Sequence, residues 1–214
     1  MVLLEYHTAT HDCMKTLALT GGIACGKSRF GSLLAALGAE IVDADQIVRS
    51  LHASGGKAAA AVAETFGPEF LDGNGATDRT ALARKVFAEP DARLRLESIL
   101  HPLVRTELLA WRASPAAPGV RLRVAEIPLF FDAGWDDGWD ATATIETRSL
   151  PERFARLRAR GLSEEQARAR IAAQLPAAER IARADFAIFN DGPLDALPRL
   201  ARALYDALVP PDPS

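Results

Sequence analysis

Residues Gly21-Gly22-Ile23-Ala24-Cys25-Gly26-Lys27-Ser28 follow the spacing G-x-x-x-x-G-K-S. The spacing suits a polyphosphate: backbone N–H groups from Gly22 to Ser28 curl around the phosphates. Lys27 reaches the β/γ oxygens and the Ser28 hydroxyl serves as a Mg²⁺ ligand. A second set is Asp43-Ala44-Asp45, two carboxylates on one side of an extended chain. Phosphoryl transfer sets two tasks, holding the Mg²⁺ shell and accepting a proton from an attacking hydroxyl, and two carboxylates could divide them. Asp45 would serve equally as the N-cap of a helix beginning near Gln46. A third set lies between Leu150 and Ala184, with eight arginines and no lysine. Arg153, Arg156 and Arg160 share one helix face there, suited to closing over a transferred phosphoryl group and excluding water, although a solvated surface is also charged. His101 precedes Pro102 and either contacts a substrate or marks a kink.

The elements that must position these residues read as an alternation of strands and helices. Leu17-Ala18-Leu19 is a buried strand entering the glycine-rich turn, and Phe30, Leu33, Leu34 and Leu37 follow at helical spacing until Gly38. A helix N-terminus then points positive partial charge at the loop. Ala39 to Val42 is a second strand, delivering the two aspartates at its carboxyl end, where open α/β sheets bind ligands. Residues Gln46 to Gly119 are too many for one crossover, so a helical insert is expected: a helix over Ile47 to Phe66, a turn at Asp72 to Gly75, a helix from Asp78, and one from Pro90 that Pro102 interrupts. Val120 to Ile127 alternates and reads as a third strand, Ala141 to Thr147 as a fourth and Phe186 to Phe189 as a fifth. Between the last two, Pro151-Glu152 opens one helix and Ser163 to Gln166 a second with a capping box, stopped by Pro176. Asn190-Asp191-Gly192 is a turn, and a last helix carries Leu197, Leu200, Leu204 and Leu208 along one side.

The bulk numbers bound the function classes. The chain has 214 residues, 49% hydrophobic and 25% charged, with a net charge of −3. That supports one globular core with an insert and argues against a general nucleic-acid or membrane-surface binder. Cys13 and Cys25 give neither a disulfide framework nor metal-ligand spacing, and the four histidines show no zinc spacing. The small Cys25 fits a tolerant loop position better than a redox role. No apolar run approaches a membrane span and no leader pattern is visible, so a cytoplasmic protein is expected. Residues 1–14 are polar and aperiodic and are expected to be a disordered, dispensable extension; the proline-rich tail from Pro210 is expected to fray.

Taken in order, the motifs resemble the dephospho-CoA kinase family. They are Leu19-Thr20-Gly21-Gly22-Ile23 running into Gly26-Lys27-Ser28, Asp43-Ala44-Asp45 with Ile47 and Arg49, His101-Pro102-Leu103-Val104 and Ile127-Pro128-Leu129-Phe130. Arg156-Leu157 with Arg160, and Arg170 with Gln174, complete the set. The resemblance runs from about Lys15 to Leu208. It implies an α/β P-loop nucleoside-triphosphate hydrolase-like three-layer fold with a five-stranded parallel sheet. The implied parts are a core over 15–45, 120–149 and 185–209, a helical CoA-binding insert over 46–119 and a helical lid over 150–184. The implied reaction transfers the γ-phosphoryl group of ATP, with Mg²⁺, to the ribose 3'-hydroxyl of dephospho-CoA. The base carries over to Asp45, with Asp43 and Ser28 at the metal, Lys27, Arg156 and Arg160 at the phosphates, His101 on the acceptor and Asn190 near the nucleotide base. A small-molecule acceptor, no nucleic-acid or membrane partner, and a monomer or weak homo-oligomer are expected. Departures from the family pattern are Ala24-Cys25 for Gly-Ser, which should matter little, Asp132 for glutamate, a fourth strand of low hydrophobicity and Gly161 where an acid commonly follows the second lid arginine. Two alternatives remain: a related P-loop kinase of another nucleoside or nucleotide, and a non-catalytic nucleotide-binding regulator.

Overall fold

The computed structural model describes residues 14–135, 138–191 and 196–210. The expected N-terminal extension, except Met14, the tail beyond Pro210, and Gly192 of the expected turn lie outside these. Five strands form one sheet: β1 (Lys15–Gly21), β2 (Glu40–Asp43), β3 (Leu122–Glu126), β4 (Ala141–Glu146) and β5 (Phe186–Phe189). Their order is β2-β3-β1-β4-β5 and every pairing is parallel. Strands covered on both faces lose the apolar-polar alternation of half-exposed ones. β3 accordingly is buried at all five positions rather than alternating as its sequence suggests.

Period-2 geometry sends successive side chains to opposite layers. Leu17 and Leu19 of β1, with Leu122 and Val124, pack beneath α1 (Lys27–Ala36) and α9 (Ala196–Leu208), where Phe30, Leu34, Ala201 and Leu204 complete the core. Ala18 and Ala125 face the other way, toward α2 (Ala44–His52) and α5 (Pro90–Ala113), against Val104, Leu108 and Phe130. The small residues on that side let α2 and α5 lie close to the sheet. β4 is an interior strand between β1 and β5, and its polar residues are satisfied: Thr142 Oγ1 donates to Asp185 (2.8 Å) and Thr144 Oγ1 to Glu146 (2.8 Å).

The insert departs from expectation in two places. The stretch Ile47 to Phe66 is not one helix: α2 ends at His52 and α3 (Lys57–Phe66) restarts after a turn in which Gly55 has φ 74°. A side chain at Gly56 would run into the Leu51 carbonyl, so glycine is required at this break. Pro102 does not interrupt α5, which runs through it for 24 residues. A proline removes one i→i−4 bond, and here burial of Val104 and Leu108 on the sheet side holds the helix together across the gap. α4 (Arg79–Ala88) opens with Asp78, whose carboxylate accepts from Thr80 and Ala81 N–H.

Residues 150–183 form three helices where two are expected. α6 (Leu150–Ala159) is followed by α7 (Glu164–Ala172), which has the full Ser163/Gln166 capping box. After Pro176 the chain turns helical again as α8 (Ala177–Arg183), because proline ends one helix and suits the start of the next.

Candidate active site

β1 ends at Gly21, whose φ of 147° and 2.3 Å clearance from the Ile145 carbonyl to a would-be Cβ permit no side chain. The loop then turns through Ala24 (φ 62°) and Gly26 (φ 102°) into α1, whose first two residues are Lys27 and Ser28. The loop's outer polar atoms are held from the far side of the site. Asn190 Nδ2 donates to the Cys25 carbonyl (2.9 Å), Arg156 to the Ala24 carbonyl (3.0 Å) and Arg153 Nε to the Ile23 carbonyl (3.2 Å). The Ile23 N–H donates to Gln174 Oε1 (2.7 Å). Burial pushes the Cys25 thiol up, outweighing the nearby Arg153, so the thiolate is disfavoured and the residue packs as a small apolar group.

Asp43 ends β2, in register with Glu126 of β3, and Asp45 follows in the first turn of α2. Asp43, not Asp45, caps α2: its Oδ1 accepts from the Asp45 N–H at 2.8 Å, and the helix begins at Ala44, two residues earlier than expected. This leaves the Asp45 carboxylate outside the cap and exposed. With His101 and Trp135 it lines a cavity of about 180 Å³, otherwise walled by Val48, Leu100, Val104 and Pro128. His101 and Trp135 meet edge-on at 5.6 Å, so Trp135 both packs and lines the cavity.

Glu126 is a site residue that the motifs missed. Its side chain is 6% exposed, hydrogen-bonds Ser28 and feels Lys27, Asp43 and Asp45. Burial raises its pKa; the Ser28 hydrogen bond and Lys27 oppose that rise, and the two aspartates add to it. A Cβ on Gly31 would sit 2.0 Å from Glu126 Oε1, so α1 carries glycine where this carboxylate crosses it. An acid at the carboxyl end of a fully buried strand was the available signal.

Among the expected site residues, the loop from Gly22 to Ser28, Arg156 and Asn190 form one cluster, and Asp45 and His101 line one cavity. Asn190 grips the loop itself. Arg160 is the C-cap of α6 and is exposed, while Arg153, expected on the same helix face, is turned inward at 7% exposure. Beneath the loop, Arg180 forms a two-pronged pair with Glu146, Nε to Oε1 and the second arm to Oε2, each at 2.7 Å and both residues buried. Asp132 accepts from the Leu175 N–H at 2.8 Å.

Ser28, Asp43 and Glu126 are hard oxygen donors. They suit Mg²⁺, which takes one or two carboxylates plus phosphate oxygens and does not need an all-protein cage. No group of three or more His, Cys, Asp or Glu arranged as such a cage occurs among the described residues.

A family model described as dephospho-CoA kinase matches residues 15–196. A dephospho-CoA kinase of Anaeromyxobacter dehalogenans is 45% identical over 184 residues, 86% of this chain and 87% of that protein. The solved structure of a dephospho-CoA kinase from Campylobacter jejuni superposes with a TM-score of 0.63 at 26% identity, covering 92% of this chain and 98% of the other. A shikimate kinase from Acinetobacter baumannii shares the fold at a TM-score of 0.53 and 17% identity, over 91% and 93% of the two chains.

Proposed function

The chain belongs to the dephospho-CoA kinase family and is an ATP-dependent phosphotransferase of coenzyme A biosynthesis, and from that premise we propose how its residues divide the transfer to the ribose 3'-hydroxyl. The carrying observation is that Asp45 stands clear of the helix cap, lines a cavity, and has as a neighbour Glu126, which hydrogen-bonds Ser28 of the phosphate loop. Dephospho-CoA seats its ribose in that cavity, with His101 and Trp135 at its side. Asp45 accepts the proton of the attacking 3'-hydroxyl as the oxygen closes on phosphorus.

The loop N–H groups and Lys27 hold the β/γ oxygens of ATP, which fixes the in-line approach. Arg156, which donates to the Ala24 carbonyl, exchanges it for a phosphate oxygen when nucleotide enters. Arg160 joins it when residues 150–183 close as a lid. Ser28, Asp43 and Glu126 would hold Mg²⁺, which would supply positive charge to offset the charge on the transferred phosphoryl group. The helices of residues 46–119 form the acceptor-binding unit. Net charge and the small cavity fit a small-molecule partner rather than nucleic acid; the protein acts in the cytoplasm as a monomer or weak homo-oligomer. No helix among the described residues is long and apolar enough to cross a membrane.

The acceptor assignment is tested by ADP release with dephospho-CoA, AMP, adenosine or no acceptor. Turnover with dephospho-CoA well above the other three is expected. Equal rates with AMP or adenosine would point to a kinase of another nucleotide, and no turnover with any acceptor to a regulator.

A further inference from the structure

Ile23 is held by both of its backbone polar atoms, and both partners come from the segment between β4 and β5. Gln174 Oε1 accepts its N–H at 2.7 Å and Arg153 Nε donates to its carbonyl at 3.2 Å. Gln174 lies between α7 and Pro176, outside any helix, so something else must keep it in place.

The next residue supplies that anchor. The Leu175 N–H donates to Asp132, on the loop after β3, at 2.8 Å. The Leu175 carbonyl accepts from Arg180, whose other nitrogens are locked onto Glu146 at the end of β4. Both Arg180 and Glu146 are almost completely buried, at 3% and 2% exposure. A charge pair of this kind, satisfied at each prong, has one low-energy geometry, because any displacement leaves a buried charge uncompensated. The rigid sheet therefore fixes Leu175, Leu175 fixes Gln174, and Gln174 fixes the Ile23 peptide. The same guanidinium groups crowd the loop from below: a Cβ on Gly22 would lie 3.0 Å from Arg180 and 3.2 Å from Arg153.

We propose that Gln174 is a positioning residue for nucleotide binding, and that Asp132 acts through it by pinning the adjacent Leu175 peptide. Neither touches ATP. The pair sets the entrance of the phosphate loop in its binding-competent shape before ATP arrives, so that the N–H groups downstream of Ile23 converge without rearrangement. This gives the acid at position 132 a role in nucleotide affinity rather than in the acceptor site. It rests on the loop being the ATP site.

The test is steady-state kinetics and direct titration of a fluorescent ATP analogue, with Gln174→Leu, which keeps volume and loses the acceptor oxygen, Gln174→Glu, which keeps it, and Asp132→Ala. Wild-type binding of the analogue checks the site itself, separately from the inference. Gln174→Leu is expected to raise the KM for ATP and the analogue Kd about tenfold, the scale of leaving one buried donor unpaired. The KM for dephospho-CoA stays within about twofold. Gln174→Glu restores most of the affinity, and Asp132→Ala shifts the same ATP constants by a smaller factor. Unchanged ATP constants in Gln174→Leu overturn the inference. So does a parallel rise of both KM values accompanied by a lowered Tm, which marks a merely structural side chain.

Discussion

Ala24 holds a φ of 62°, the left-handed conformation that glycine adopts without a Cβ penalty, and does so at 6% exposure in the phosphate loop. The exchange of glycine for alanine, expected from sequence to matter little, therefore carries strain of about 1–2 kcal/mol. Ala24→Gly relieves it but adds unfolded-chain entropy of about 0.4–1 kcal/mol. A net gain of about 1 kcal/mol, or about 2–4 °C in Tm for a chain of this size, is expected in a thermal melt. A lower Tm would show that the loop needs the methyl group. Lys27 belongs to the same scale. If Lys27 holds the β/γ oxygens as proposed, Lys27→Ala should weaken ATP binding and turnover together; unchanged kinetics would remove the loop from the mechanism.

Between α2 and the turn after α3, the buried His52 ties two elements of the insert. Its Nδ1 meets Thr77 Oγ1 at 2.9 Å, and its carbonyl accepts from the Thr77 N–H at 2.9 Å. Burial lowers its pKa below the ordinary 6.5, with Arg79 adding to the effect. The unfolded chain thus binds this proton more readily than the folded one. The contribution of His52 to stability is complete above about pH 6.5 and is lost as pH falls from there through the folded pKa. Denaturant melts at pH 7.5 and in steps below pH 6.5 should show stability falling in wild type, with a shallower slope in His52→Gln; equal slopes would place the acid sensitivity elsewhere. The same insert shows where local signals mislead. Proline at 102 is a valid break signal, yet sheet-side packing carries α5 through it. Conversely, Gly55-Gly56 marks a helix end that the apolar pattern around it obscures.

At the scale of the whole molecule, strand identity and the positions of the loop and of the acids after β2 were legible because they rest on local chemistry: the spacing of Gly21 to Ser28, the carboxylates of Asp43 and Asp45 and the apolar run Phe186 to Phe189. What was not legible depends on contacts far apart in sequence. The order β2-β3-β1-β4-β5 brings Glu126 beside Ser28, and the inward turn of Arg153 depends on a loop 130 residues away. Arginine spacing alone shows a shared face and not which way that face points. With the loop as the proposed ATP site, this connectivity should make ATP binding a global event, since the loop is bonded to α6, to the segment after α7 and to Asn190 after β5. At 100 times its Kd, ATP should stabilise the protein by about 2.7 kcal/mol. Hydrogen exchange should slow in residues 21–36 and 150–183 but not in α3 and α4. Protection confined to residues 21–36 would contradict the coupling of the two regions.

The most direct measurement is single-turnover transfer from γ-labelled ATP to dephospho-CoA in wild type and Asp45→Asn, with ATP affinity determined alongside. If Asp45 takes the proton of the attacking hydroxyl, transfer slows by on the order of 10² or more while the ATP Kd stays within about twofold. Wild-type transfer rates in Asp45→Asn would contradict a catalytic base at that position.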